Sequence, residues 1–224
     1  APRLGAWPAT ATFEPRLLMA ACIGTIVDGP TPVAGPGHGL VVEAWLLFRS
    51  IFDHLWRGRR HVIRAGSQID RFGNQNFAWI GDRAKPKAQL LGMRGAPGNT
   101  ISHKTSYLVP NQTARVFVEK VDVVSGVGYD RAAELNEATT QGFELGRVIS
   151  HLAVYDVGTP DHAMRMRTLH PSVTLEDVLE NTSFPLVIDD ESNIPETRLP
   201  SAEELRLIRE QIDPECMLGR EVAN

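Results

Sequence analysis

The sequence predicts an α/β fold: a single open, mostly parallel sheet with flanking helices. Three observations carry this reading. Apolar, strand-like runs recur along the chain, several of them ending at glycine. Helical spacing and two capping-box patterns fall between and after them. One run, His151–Val157, is apolar on both faces, as a parallel strand covered on each side would be. No internal repeat and no second core are evident, so residues 1–224 read as one domain.

Residues 1–40 are rich in proline and glycine. Within Pro15–Val27, the run Leu17-Leu18-Met19-Ala20-Ala21-Cys22-Ile23 suits a buried strand, and Asp28-Gly29-Pro30 opens a loop that extends through Gly39. From Glu43 to Arg57, Ala44, Leu47, Phe48, Ile51, Phe52 and Leu55 recur at helical spacing, and Gly58 suits the residue just past a helix end. His61–Gly66 reads as a strand ending at a glycine. Ala88–Met93, Arg115–Val121 and His151–Val157 read as further strands. Met164–Leu169 alternates apolar and basic residues, the pattern of an edge or half-exposed strand. Thr174-Leu175-Glu176-Asp177 is a capping box that opens a helix to Asn181, and Pro185–Ile188 is a short strand. Residues 189–200 are a polar linker. Ser201-Ala202-Glu203-Glu204 then opens a last helix, which runs to Ile212 and stops at Asp213-Pro214.

Composition removes several classes of function. With 23 Lys and Arg against 27 Asp and Glu, the net charge is −4, which argues against nucleic acid as a partner. Hydrophobic content of 42% with 22% charged residues is ordinary for a folded chain and excludes disorder. The apolar runs fall short of the roughly 18 residues a membrane span needs. Two cysteines, Cys22 and Cys216, make no disulfide framework, which points to a reducing, cytoplasmic compartment. Neither they nor the seven histidines have zinc-ligand spacing, so no metal is expected. Ala1-Pro2-Arg3 does not begin a signal peptide.

Three glycine-bearing segments are candidates for chemistry. In Arg64–Asn76 a strand ends in small and amide residues, Gly66, Ser67 and Gln68, before a turn at Gly73-Asn74. Ligands of open α/β sheets sit beyond the carboxyl ends of strands, where backbone N–H groups and side-chain amides hold an acyl oxygen or a phosphate. The alternative is a plain turn capped by Asp70 and Asn74, which spacing alone favours. In Leu91–Thr100, Gly95 and Gly98 let a ligand approach the backbone, and Arg94 adds a permanent cation suited to a carboxylate or a developing oxyanion. An arginine taken singly more commonly forms a surface salt bridge. Ser125-Gly126-Val127-Gly128 resembles a phosphate-binding turn but lacks the third glycine. His103 lies in a polar stretch without a local partner and reads as a structural or rim residue, and Cys22 as a core thiol.

Taken together, these segments resemble the β subunit of family I CoA-transferases, of the glutaconate CoA-transferase type. The pieces that carry the resemblance are Gly66-Ser67-Gln68-Ile69-Asp70 with Gly73-Asn74-Gln75-Asn76, the Ile80-Gly81-Asp82 to Lys85-Pro86-Lys87 run, the Arg94–Asn99 loop, and His170-Pro171-Ser172-Val173-Thr174 to Asn181-Thr182-Ser183-Phe184. Their order is kept across residues 12–213. Within that family the chain is similar to the β subunits of steroid ring-opening CoA hydrolases, marked by Ile69–Asn76, Arg94–Ile101 and Phe117–Asp130.

The resemblance implies a cytoplasmic β subunit that pairs with a CoA-transferase-like α subunit, as an α2β2 heterotetramer. It implies no permanently bound cofactor, coenzyme A being part of an acyl-CoA substrate, and no nucleic acid or membrane partner. Arg94 is then the catalytic residue of this chain, and Gly95, Ala96 and Asn99 form an oxyanion-binding loop. Gly66, Ser67 and Gln68 line the opposite wall. True transferases of the family carry a nucleophilic glutamate in a Glu-x-Gly pattern. Here Cys22 precedes Ile23-Gly24 at that place, so the resemblance assigns the catalytic glutamate to the α subunit. It also implies that about 30 residues of the family domain precede Pro15–Gly24 and are missing here. The activity expected is hydrolytic ring opening by carbon–carbon cleavage of a steroid C/D-ring acyl-CoA. The alternatives are CoA transfer between carboxylic acids and a non-catalytic scaffold subunit.

Overall fold

The computed structural model describes residues 19–21, 25–28, 41–57, 60–93 and 95–216. They fall into two compact units, one comprising the chain up to Asp53 with the segment from Leu199 onward, the other His54–Arg198.

In the first unit, β1 (Met19–Ala21), β2 (Thr25–Asp28) and β3 (Val41–Trp45) form an antiparallel sheet in that order. The apolar run at Leu17–Ile23 therefore contributes β1, whose Met19 pairs with Val27, while Cys22 and Gly24 lie outside the described residues. The helix expected from Glu43 begins only at Phe48, as α1 (Phe48–Trp56). Val41 and Val42 are β-branched, and pairing of Asp28 with Val41 and Thr25 with Trp45 overrides the helical spacing of the residues before Phe48. At the other end, the Ser201 side chain accepts from the Glu204 N–H and the Glu204 carboxylate accepts from the Ser201 N–H at 2.7 Å. This capping box opens α6 (Ala202–Leu207), which continues as a π-helical stretch Ile208–Ile212 and stops at Asp213 as the sequence predicts.

The second unit is built on a five-stranded sheet. Its strands are β4 (His61–Arg64), β9 (Lys104–Val109), β10 (Glu144–Ser150), β11 (Ala153–Asp156) and β12 (Arg165–Leu169). The order is β12-β11-β10-β9-β4. The expected parallel order holds for β4, β9 and β10 and gives way to antiparallel pairing at β11 and β12, so the sheet is mixed. His151–Val157 is thus an antiparallel strand between β10 and β12, and its burial on both faces comes from its inner place in the sheet. Met164–Leu169 is the edge strand its alternation predicts.

Two short hairpins lie beside this sheet: β5 (Gln68–Ile69) with β6 (Gln75–Asn76), and β7 (Trp79–Gly81) with β8 (Pro86–Gln89). The strand expected at Ala88–Met93 therefore lies earlier, at Pro86–Gln89. Arg115–Val121 is not a strand. It turns, makes one bridge from Phe117 to Ile69, and uses Phe117 to fill the core. Phe117 is fully buried, stacked on Phe184 at 5.7 Å between ring centroids and tilted against Tyr155 at 5.5 Å. Burying an aromatic ring of this size stabilises the fold by about 2–3 kcal/mol. Tyr107, Val148, Met164 and Val178 complete the centre of this core. Four helices border it: α2 (Ala96–Ser102), α3 (Tyr129–Ala132), α4 (Glu137–Thr140) and α5 (Leu175–Glu180). The last opens on the predicted capping box, with Thr174 accepting from the Asp177 N–H. Pro185–Ile188 contributes only an isolated bridge, Arg165 to Val187.

Candidate active site

The Gly66 segment leaves the carboxyl end of β4 and enters the β5–β6 hairpin. The turn of that hairpin is built from side-chain hydrogen bonds. The Asp70 carboxylate accepts from the N–H groups of Phe72 and Asn74, each at 3.1 Å, and from the Asn74 amide at 3.0 Å. Asn74 also donates to Asp130 at 2.7 Å and accepts from the Gly128 N–H at 2.8 Å. Gly73 adopts φ +83°, and its carbonyl accepts from the Tyr107 hydroxyl at 2.8 Å. Asp70 and Asn74 thus form the capped turn that spacing favours.

The candidate wall residues behave differently from one another. Gln68 is buried and its amide is engaged within the chain: Oε1 accepts from Asn76 at 2.7 Å and from the Asp122 N–H at 3.1 Å, and Nε2 donates to Asp122 at 3.1 Å. The Ser67 N–H donates to the Asn76 carbonyl at 3.0 Å. Gly66 lies against Gln75, where an added Cβ would stand 3.3 Å from the Gln75 side chain.

Arg94, on the second candidate loop, lies outside the described residues. Gly95 is exposed and the Asn99 amide lies over it, 3.0 Å from where a Cβ would stand. Ala96 is buried at the start of α2, and its N–H donates to the Met93 carbonyl at 3.0 Å. That N–H is engaged in the turn, so the donors that remain at this loop belong to its other residues. The helix is fixed in place by Thr100, whose hydroxyl donates to the Ala96 carbonyl at 2.9 Å and accepts from the Val127 N–H at 3.0 Å.

The third glycine segment joins the other two. A Cβ on Gly126 would stand 3.2 Å from the Thr100 methyl and 3.3 Å from the Gln75 Cβ. The N–H groups of Ser125 and Gly126 both donate to the Gln75 carbonyl, at 2.8 and 3.0 Å. With Val127 bound to Thr100 and Gly128 to Asn74, four successive amides are engaged inside the protein. Ser125–Gly128 is therefore a brace and not a phosphate cradle. Through it the structure brings the Gly66 segment and α2 together around Gln75, a residue to which no separate role is assigned from sequence. Its signal was the run of three side-chain amides at Asn74-Gln75-Asn76.

His103 is fully buried at the end of α2, with Nδ1 3.1 Å from the Lys104 carbonyl. Burial, aided by the charge of Arg64, holds its pKa below the ordinary histidine value, so it is neutral at pH 7. Elsewhere, a cavity of about 520 Å³ stands at the amino ends of the parallel strands, lined by His61, Lys104, Glu144, Arg147, Asp156 and His162 among others. Its charges are paired, Lys104 with Glu144 and Asp156 with Arg147 at 3.8 Å. Among the described residues no cluster of three or more His, Cys, Asp or Glu side chains gathers as a metal site, and no helix is long and apolar enough to cross a membrane.

The chain is 46% identical over 222 residues to the cholesterol ring-cleaving hydrolase IpdB subunit of Rhodococcus jostii, covering 99% of this chain and 85% of that one. It belongs to the CoA-transferase β-subunit family, in the group of the ring-cleaving hydrolase subunits. The crystal structure of Rhodococcus jostii IpdAB superposes with a TM-score of 0.88 at 45% identity, covering 99% of this chain and 87% of that chain. Across the CoA-transferase family the likeness extends to the β subunit of the glutaconate CoA-transferase of Acidaminococcus fermentans, 32% identical over 167 residues, which is 73% of this chain and 61% of that one. The crystal structure of that transferase superposes with a TM-score of 0.79 at 25% identity over 96% of this chain and 86% of that chain. No protein-family model matches the chain. The family reading made from Gly66–Asn76, Arg94–Asn99 and the His170–Phe184 tail therefore holds across the chain, including the segments on which no chemistry rests.

Proposed function

We propose that this chain is the β subunit of a CoA-transferase-like hydrolase that opens a steroid-derived ring. It pairs with an α subunit, as α2β2, in the cytoplasm. The observation that carries the reading is the near full-length likeness to a cholesterol ring-cleaving hydrolase subunit. The exposed side chains of Leu91 and Met93, just before the Arg94 loop, suit a site completed by a partner.

The substrate is an acyl-CoA carrying the steroid C and D rings, and coenzyme A enters only as part of it. Water adds to a ring carbonyl. The adjacent carbon–carbon bond breaks, and its electron pair passes to the carbon next to a second carbonyl as an enolate, which takes up a proton. The new carboxyl group keeps the water oxygen. An α-subunit glutamate acts as the base, since this chain has Cys22 where transferases of the family carry the nucleophile. Arg94 polarises a carbonyl or holds a carboxylate, with Gly95 and the Asn99 amide beside it. Ala96 is the buried foot of that loop. Gly66 and Ser67 form the facing wall, which Gln68 ties to Asp122.

The test is acceptor dependence. The chain is co-expressed with a CoA-transferase-like α subunit and given a steroid C/D-ring acyl-CoA. Ring-opened thioester formed without any added carboxylic acid supports the hydrolase. Turnover that begins only when an acceptor acid is added assigns the chain to CoA transfer instead.

A further inference from the structure

Asn74, Gln75 and Asn76 are three consecutive buried amides, exposed by 1%, 0% and 0%. The outer two are satisfied within the protein. Asn74 binds Asp70, Asp130 and the Gly128 N–H. Asn76 donates to Gln68 and to the Trp79 carbonyl, each at 2.7 Å, and accepts from the Ala78 N–H at 2.9 Å. Gln75 differs: neither its Oε1 nor its Nε2 has a hydrogen-bond partner among the described residues.

Burying an amide without partners costs about 1–3 kcal/mol. A methionine would fill the same length without that cost. The side chain is also held closely, since Gly66 and Gly126 approach it from two sides and a Cβ on either would come within 3.3 Å of it. Such a group is built at a stability cost and placed where the two candidate loops meet.

A primary amide offers one acceptor and two donors in a single plane. The hydrolysis proposed above brings two groups that match. Water has protons to donate, and the carbonyl it attacks has an oxygen that accepts. We propose that the Gln75 amide is a binding group of the active site, with Oε1 accepting from the hydrolytic water and Nε2 donating to the oxygen of the carbonyl under attack. This rests on the hydrolase reading.

The test uses the co-expressed complex with the steroid C/D-ring acyl-CoA and two variants, Gln75→Met and Gln75→Glu. Turnover by the unaltered complex comes first, because its absence defeats the hydrolase reading and is distinct from failure at Gln75. Gln75→Met is expected to assemble with an unchanged or higher Tm, to lose about 10²–10³-fold in kcat, and to change KM by only a few-fold. Gln75→Glu keeps an acceptor and is expected to add an ionisation to the pH profile of kcat/KM. A Gln75→Met complex with kcat within about twofold of the unaltered enzyme overturns the proposal and leaves a structural water as the occupant. If Gln75→Met fails to assemble, Gln75→Glu decides, and a pH profile superposable on the unaltered one overturns the proposal. Failure of both variants to assemble also overturns it, since the amide is then structural.

Discussion

A Cβ on Gly126 would stand 3.3 Å from the Cβ of Gln75 and 3.4 Å from its Oε1. The contact is tighter than ordinary van der Waals packing, and the Thr100 methyl closes the other side at 3.2 Å. It is the point at which the Gly66 hairpin and α2 share a wall. Gly126→Ala is therefore expected to lower stability by about 1–2 kcal/mol through overpacking, and to lower kcat as well by moving Gln75. Thermal melting and steady-state kinetics of the complex check this. A variant with unchanged Tm and kcat would mean that Gln75 yields freely.

Asn74 holds the hairpin turn through Asp70, Asp130 and the Gly128 N–H. Asn74→Ala leaves a buried carboxylate with fewer donors and a backbone N–H without an acceptor. A loss of about 2–4 kcal/mol is expected in denaturant unfolding.

The core carries a second polar chain, remote from the candidate site in its bonding. The Tyr155 hydroxyl donates to Gln112 Oε1 at 2.8 Å, Gln112 Nε2 donates to Thr182 at 3.0 Å, and Thr182 donates to the Val178 carbonyl at 2.8 Å. Tyr155→Phe strands the Gln112 oxygen. It should cost about 1–2 kcal/mol of stability while leaving kcat of the assembled complex unchanged. A selective loss of kcat would show that the site reaches into this core.

Asp156 sets an acid limit on stability. Burial raises its pKa, but this is outweighed by the two-pronged hydrogen bond from Arg165 at 3.0 and 3.1 Å, a backbone N–H from Gly158, and the charges of Arg165 and Arg167, so its pKa lies below the ordinary carboxylate value. A carboxylate depressed in this way stabilises the fold above its unfolded pKa near 4, and the stabilisation fades as pH falls through the lower folded value. Asp156→Asn is expected to lower Tm by several degrees at neutral pH, with the gap to the unaltered protein closing as pH falls below the ordinary carboxylate value. A gap that stays constant with pH would contradict the ionic origin.

Much of the fold was legible because local chemistry and tertiary structure agree. Thr174 and Ser201 cap the helices that their capping boxes announce, and Met164–Leu169 takes the sheet edge that its alternation requires. The two central strands were not. In β9, Thr105 and Ser106 are buried, and Ser106 is satisfied by the Arg147 N–H at 3.0 Å and by His61 at 2.8 Å. Its polar sequence therefore hides a core strand. In β10 an irregular register between Leu145 and Val148 breaks the alternation. In the glycine-bearing segments, the sequence could not tell which amides the fold would satisfy. Gln68 and Gln75 look alike in sequence and differ entirely in their hydrogen bonding.

The most direct measurement is hydrolysis by the complex in ¹⁸O-labelled water with no acceptor acid present. The account predicts one labelled oxygen in the new carboxyl group of the ring-opened thioester, and loss of nearly all of that product in Arg94→Ala without loss of assembly. Ring-opened product lacking the label, product formed only after an acceptor acid is added, or an Arg94→Ala complex that keeps most of its turnover would contradict it.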